Sequence, residues 1–143
     1  MKKMSKAEAY EFLAKGTRTG KLATVREDGR PHVAPIWFVL DGDDLIFNTW
    51  HESVKGKNLV RDGRIALTVD EEVAPYAFVI VEGTVEITED DPAESLKWAT
   101  RIGARYMGED QAEAFGKRNS VPGELLLRIK VDKIVAQKDL AAW

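Results

Sequence analysis

Leu45-Ile46-Phe47-Asn48-Thr49-Trp50-His51-Glu52-Ser53-Val54-Lys55-Gly56-Lys57-Asn58-Leu59 changes its periodicity in the middle. Up to Trp50, apolar and polar residues alternate behind the acidic turn Asp41-Gly42-Asp43-Asp44, the pattern of a strand with one buried face. Ser53 is a good N-cap, because its hydroxyl can accept a first-turn N–H, and it predicts a helix over Val54 to Val60. Free N–H groups at a helix start carry partial positive charge. Here they fall beside the Thr49 and Ser53 hydroxyls, the Lys55 and Lys57 ammoniums and the Asn58 amide, so the corner is expected to bind an anion such as phosphate. Gly56 costs about 1 kcal/mol relative to alanine inside a helix, and close approach of a ligand is the expected reason for that cost. The plainer alternative is a simple serine cap and solvated lysines.

Working outward, the stretch is preceded by β-rich runs. Lys21 to Val25, Pro31 to Leu40 and Leu45 to Trp50 are separated by Glu27-Asp28-Gly29-Arg30 and by the Asp-Gly turn at 41–44, which predicts consecutive antiparallel strands. Before them, Ser5 with Glu8 forms a capping-box pattern for a helix over Lys6 to Lys15, ended by Gly16. After the central helix come strands at Ile65 to Val69 and Tyr76 to Ile87, the second with a bulge or bend at Gly83. Either Asp90 or Asp91, in the acidic run from Glu89, caps a helix whose apolar face runs through Leu96, Ala99, Ile102 and Tyr106. A short helix from Glu109 to Lys117 and a long strand from Glu124 to Gln137 complete the pattern.

This order gives a β-rich α+β domain spanning 1–143, mostly antiparallel, closed or nearly closed into a barrel, with one helix after the third strand and helices towards the C-terminal part. Pro31 and Pro35 lie within one expected strand. Proline gives a ladder no donor, so that strand is expected to leave its partner at His32 to Pro35 and expose backbone to a ligand.

Composition narrows the function. Zero cysteines exclude disulfides, thiolate metal sites and cysteine nucleophiles, and only His32 and His51 are available to a histidine metal centre. A net charge of -3 argues against generic nucleic-acid binding. No apolar run has signal-peptide or membrane-span length, so the expected location is the cytosol. The acidic run at 89–91 lacks calcium-loop spacing. No catalytic triad, glycosidase pair or metalloprotease motif can be assembled.

The chain resembles the pyridoxamine-phosphate-oxidase-like split β-barrel (FMN-binding-like) proteins, which bind flavins or the deazaflavin F420. The resemblance rests on Gly20 to Val25, Asp28 to Phe38, Phe47-Asn48-Thr49, Ser53, Lys57-Asn58-Leu59 and Asp62 to Leu67, in that order. Lys55-Gly56-Lys57-Asn58 and the short length are most similar to the deazaflavin-dependent reductases of the second subgroup, FDOR-B. The resemblance implies a cofactor ring against His32, Val33, Ala34, Pro35, Ile36 and Trp37. It implies a phosphate at Thr49, Ser53, Lys55, Lys57 and Asn58, and a cleft in a homodimer to which Tyr76, Ala77 and Phe78 are candidate second-subunit contributors.

The implied activity is F420H2-dependent hydride transfer to an electron-poor conjugated small molecule such as an enone. An FMN-dependent oxidoreductase or oxidase on the same fold is the alternative, as is a non-catalytic F420, flavin or heme binder. FMN ends at its phosphate whereas F420 continues into a polyglutamate tail, so Lys55, Arg61 and Arg64 favour F420. Hydride chemistry resides in the cofactor, so the want of acid-base residues does not exclude an enzyme, and no proton donor is identified. His32 is read as a ring or substrate contact or as plain surface, and His51 as a helper at the corner or a solvated loop residue. Trp37 and Trp50 are read as packing, and Trp98 and Trp143 as dimer contacts or pocket walls.

Overall fold

The computed structural model describes residues 1–88 and 91–143. Its elements are β1 (Lys2–Lys3), α1 (Lys6–Ala14), β2 (Gly20–Val25), β3 (Pro31–Ile36), β4 (Val39–Asp41), β5 (Asp44–Trp50), α2 (Val54–Arg61), β6 (Arg64–Glu71), β7 (Ala77–Ile87), α3 (Pro92–Met107), α4 (Glu109–Arg118) and β8 (Glu124–Lys138). The strands form one antiparallel sheet in the order β3-β2-β6-β7-β8-β5-β4, with β1 added to the far end of β8. Its two outermost strands, β3 and β4, are consecutive in the chain, so the sheet must curl until its ends meet. The result is an α+β split barrel, crossed by the chain at Trp37-Phe38.

That crossing corrects the expected strand from Pro31 to Leu40. His32 to Pro35 do not leave their partner: β3 pairs with β2 throughout, from Pro31 opposite Val25 to Ile36 opposite Gly20. The break comes later, because the backbone of Phe38 finds side chains instead of a strand. Its N–H donates to the Tyr106 hydroxyl at 3.3 Å, and its carbonyl accepts from Arg105 at 2.6 Å. Arg105 also donates to the carbonyls of Leu13 and Gly16, so one guanidinium joins the end of α1, the crossing and α3.

Alternation fills the barrel. Leu22, Ile65, Leu67, Val69, Val79, Val81, Leu127 and Ile129 point inward with Phe38, Leu45 and Phe47, and Ala9 and Leu13 of α1 close one end. The Ser5–Glu8 capping box forms as expected at the start of α1. β5 is covered on both faces: Ile46, opposite in parity to Leu45 and Phe47, packs outside the barrel against Trp98 and Leu126. Trp98 therefore belongs to this outer cluster, and the apolar face of α3 runs through Trp98, Ala99, Ile102 and Gly103, while Leu96 is exposed. Trp is broad enough to seal two strands, which shifts the buried stripe away from Leu96.

Gly83 marks a register shift between β7 and β8, where a Cβ would fall 2.1 Å from the Lys130 carbonyl oxygen. Asp91 caps α3 through the N–H of Glu94. The alternative cap Asp90, with Glu89, lies outside the described residues. Among the described residues no helix is long and apolar enough to cross a membrane.

Candidate functional site

The corner between β5 and α2 forms where the sequence places it. Ser53 has extended backbone geometry, its Oγ accepts the Gly56 N–H at 3.0 Å, and its carbonyl accepts the Lys57 N–H at 3.0 Å. The buried Thr49 hydroxyl lies 3.0 Å from Ser53 Oγ, linking strand and cap. Gly56 serves this packing. A Cβ there would sit 2.6 Å from the Trp50 carbonyl oxygen and 3.0 Å from Ser53 Oγ, so the glycine lets the chain approach itself rather than a ligand.

Helical geometry then divides the basic residues. Positions two apart lie on nearly opposite sides of a helix. Lys55 faces a cavity of about 290 Å³ formed with Pro35, Ile36, Trp37, Asn48, Thr49, Trp50, Asn119 and Glu124. Lys57 faces a separate groove of about 480 Å³, bordered by Arg26, Glu27, Asp28, Arg30, Val54, Asn58 and Arg61. Within that groove Arg30 pairs with Asp28 at 2.7 Å, and Arg61 reaches the Val25 carbonyl and the Asn58 side chain. Arg64 lies outside it and pairs with Asp62 at 2.7 Å, which holds the Asp62 carboxyl down to about 2.

Asn58 is buried, and its Nδ2 donates to Thr24 Oγ1 at 3.0 Å. Its amide therefore ties α2 to β2. Of the segment 32–37, only Pro35, Ile36 and Trp37 line the Lys55 cavity. His32 lies opposite Thr24 with a buried Nδ1 that has no partner among the described residues, Val33 is exposed, and Ala34 is half-buried. His51 Nδ1 lies 3.0 Å from the Gly123 carbonyl oxygen, which fixes the loop before α2. Tyr76, Ala77 and Phe78 stand at the start of β7, beside the far end of β8 from Glu124, and do not meet the corner within one chain.

Glu124, Asn119 and Tyr106 went unmarked as site residues in the sequence. Glu124 opens β8 opposite Trp50, and its carboxylate enters the Lys55 cavity. Burial raises its pKa, while the charges of Lys55, Arg118 and His51 act in the opposite direction. Burial lowers the Lys55 pKa, which the Glu124 charge counters. Tyr106 supports the cavity wall by stacking on Trp37, and Phe115 of α4 meets the same indole at 5.9 Å. A carboxylate after Pro122-Gly123 carries no local motif; only the pairing of β8 with β5 brings it to the corner.

Apart from the Glu124 carboxylate, the donor set fits a phosphate-bearing cofactor. Lys55 and Thr49 supply a cation and a hydroxyl, while Pro35, Ile36 and Trp37 supply an adjoining apolar wall. The cavity's volume of about 290 Å³ lies at the small end of ligand-pocket sizes.

This barrel, with a cavity lined by Lys55 and Glu124 at its strand-to-helix corner, is a split β-barrel of the pyridoxamine-phosphate-oxidase-like class. Residues 5–138 match the pyridoxamine 5'-phosphate oxidase family, and the chain belongs to it. It is similar in structure to a conserved hypothetical protein from Mycobacterium tuberculosis, at 26% identity and TM-score 0.83, covering 98% of this chain and 89% of that one. A protein described as an F420 reductase is similar at 29% identity and TM-score 0.69, over 87% of this chain and 94% of that one. The heme storage protein HutZ of Vibrio cholerae shares the fold at 20% identity and TM-score 0.72, over 92% of this chain and 94% of that one.

Proposed function

We propose that the protein is an F420H2-dependent reductase of the cytosol that delivers hydride to an electron-poor conjugated small molecule. The observation that carries this reading is the division of α2. Lys55 faces a cavity that can take one phosphate, and Lys57 faces a separate groove that carries Arg26, Arg30 and Arg61 with Glu27 and Asp28. FMN uses one such station, whereas F420 has a phosphate and an anionic tail and can use both. The similarity to an F420 reductase supports the same choice.

The bound deazaflavin would supply the hydride. Lys55 and Thr49 would hold its phosphate, and Lys57 and Arg26 would attract its tail carboxylates. Pro35, Ile36 and Trp37 would place an apolar surface beside the ring and exclude water. In this reading the protein works as a homodimer, in which a second copy brings Tyr76, Ala77 and Phe78 towards the cleft.

An FMN-dependent oxidoreductase is the second reading, favoured by Glu27 and Asp28 in the groove, which offset part of its positive charge. Titration of the purified protein with F420 and FMN at one salt concentration decides between them, followed by F420H2 oxidation with an enone. Tighter F420 binding with turnover is expected. Tighter FMN binding, or a heme spectrum in the purified protein without F420 binding, overturns the proposal.

A further inference from the structure

The cavity at the corner contains one charge that a phosphate site should avoid. Glu124 and Lys55 both line it, yet no ion pair joins them within 4.0 Å among the described residues. The two charges therefore interact across the space rather than closing it. Glu124 is held there by its backbone: its N–H donates to the Val121 carbonyl at 3.0 Å, and its Cα registers with Trp50. Other charges act on it from neighbouring elements, Arg118 from α4 and His51 from the loop before α2.

We propose that Glu124 is an internal counter-anion for Lys55, which an incoming phosphate must displace electrostatically, so that anion binding at this corner takes up a proton. The inference rests on Lys55 as the phosphate contact. Without an anion, the carboxylate offsets the half-buried ammonium. When an anion arrives, two negative charges share one small cavity, and the carboxylate relieves the repulsion by accepting a proton from solvent. Binding then tightens as pH falls through the titration of Glu124. The residue sets the selectivity of the cleft, rejecting anions whose contacts elsewhere cannot offset the repulsion.

The test uses sulfate, whose charge is fixed between about pH 5 and 9, so any pH dependence belongs to the protein. Binding can be followed by tryptophan fluorescence, because Trp37 and Trp50 line the cavity. Glu124→Gln, which keeps the shape of the side chain, is expected to bind sulfate roughly tenfold more tightly than the parent at high pH and equally at low pH. Calorimetry in buffers of different ionisation enthalpy should show proton uptake in the parent and little in the variant. Equal affinity and equal pH dependence for the two proteins, with Lys55→Ala weakened, overturns the counter-anion role alone. Parent-like sulfate binding by Lys55→Ala overturns the corner assignment and this inference with it.

Discussion

Trp37 and Tyr106 lie face to face, with ring centroids 5.1 Å apart and planes 3° from parallel. Tyr106 also holds the chain at the barrel crossing, since its hydroxyl accepts from the Phe38 N–H and donates to the Arg18 carbonyl at 3.0 Å. The cavity wall and the break between β3 and β4 thus depend on one side chain from α3. Tyr106→Phe keeps the stack and removes both hydrogen bonds. It should lower stability by about 1–3 kcal/mol, chiefly through the unpaired Phe38 N–H, as measured by denaturant unfolding.

The two lysines of α2 should separate by ligand. Lys55→Ala is expected to weaken F420 and FMN alike, by roughly tenfold to a hundredfold, the range for a charge-assisted bond to a partly desolvated phosphate. Lys57→Ala should weaken F420 and leave FMN nearly unchanged, because its groove lies beyond the phosphate. Parallel fluorescence titrations check this, with the exposed helix residue Lys117 replaced by alanine as a charge control. Equal losses of FMN affinity in both lysine variants would remove the two-station reading.

Asn58→Ala should act on the fold before it acts on any ligand. The change leaves the buried Thr24 hydroxyl without its donor and Arg61 without one of its acceptors. A loss of about 1–3 kcal/mol in the cofactor-free protein is expected, read from thermal or urea unfolding.

Gly56→Ala opposes two effects. Helix propensity favours alanine by about 1 kcal/mol, but its Cβ would meet the Trp50 carbonyl oxygen at 2.6 Å. Both neighbours are fixed by backbone and cap, so the steric effect should win. The variant is expected to unfold at a lower temperature than the parent.

Glu124 makes a separate prediction about stability. Burial raises its folded-state pKa above the ordinary 4.5, so its protonated form is favoured by folding. Its contribution is full below pH 4.5 and is lost as pH rises through the folded-state value. Glu124→Gln should therefore gain stability over the parent as pH increases above 4.5 and show no gain below it. Melting temperatures of both cofactor-free proteins across that range test the sign.

Most strands and helices were legible because their signals are local. The Ser5–Glu8 box, the Ser53 cap, the Gly83 irregularity and the turns at 27–30 and 41–44 each depend on a few neighbouring residues. The crossing at Trp37-Phe38 was not legible, because the groups that hold it, Arg105 and Tyr106, come from α3, far along the chain. The short β1 was missed because two exposed lysines have no pattern and exist as a strand only by pairing with the end of β8. At the site, residue types located the strand-to-helix corner capped by Ser53. They could not show that Lys55 and Lys57 serve different spaces, that Asn58 is already engaged with Thr24, or that Glu124 enters from β8.

The outer edge of β3 carries Pro31 and Pro35, which share one strand parity. Neither can donate to β2, so both stand where a backbone N–H would point away from the barrel. A foreign strand docking along this edge would meet a ladder with two missing rungs. Among the described residues this edge pairs with no further strand, and the two prolines would disfavour strand addition there without a charged residue inside the segment from Val33 to Ile36. Replacing both prolines would restore those rungs and leave an apolar edge beside the cleft, turning a barrel that ends cleanly into a template for others.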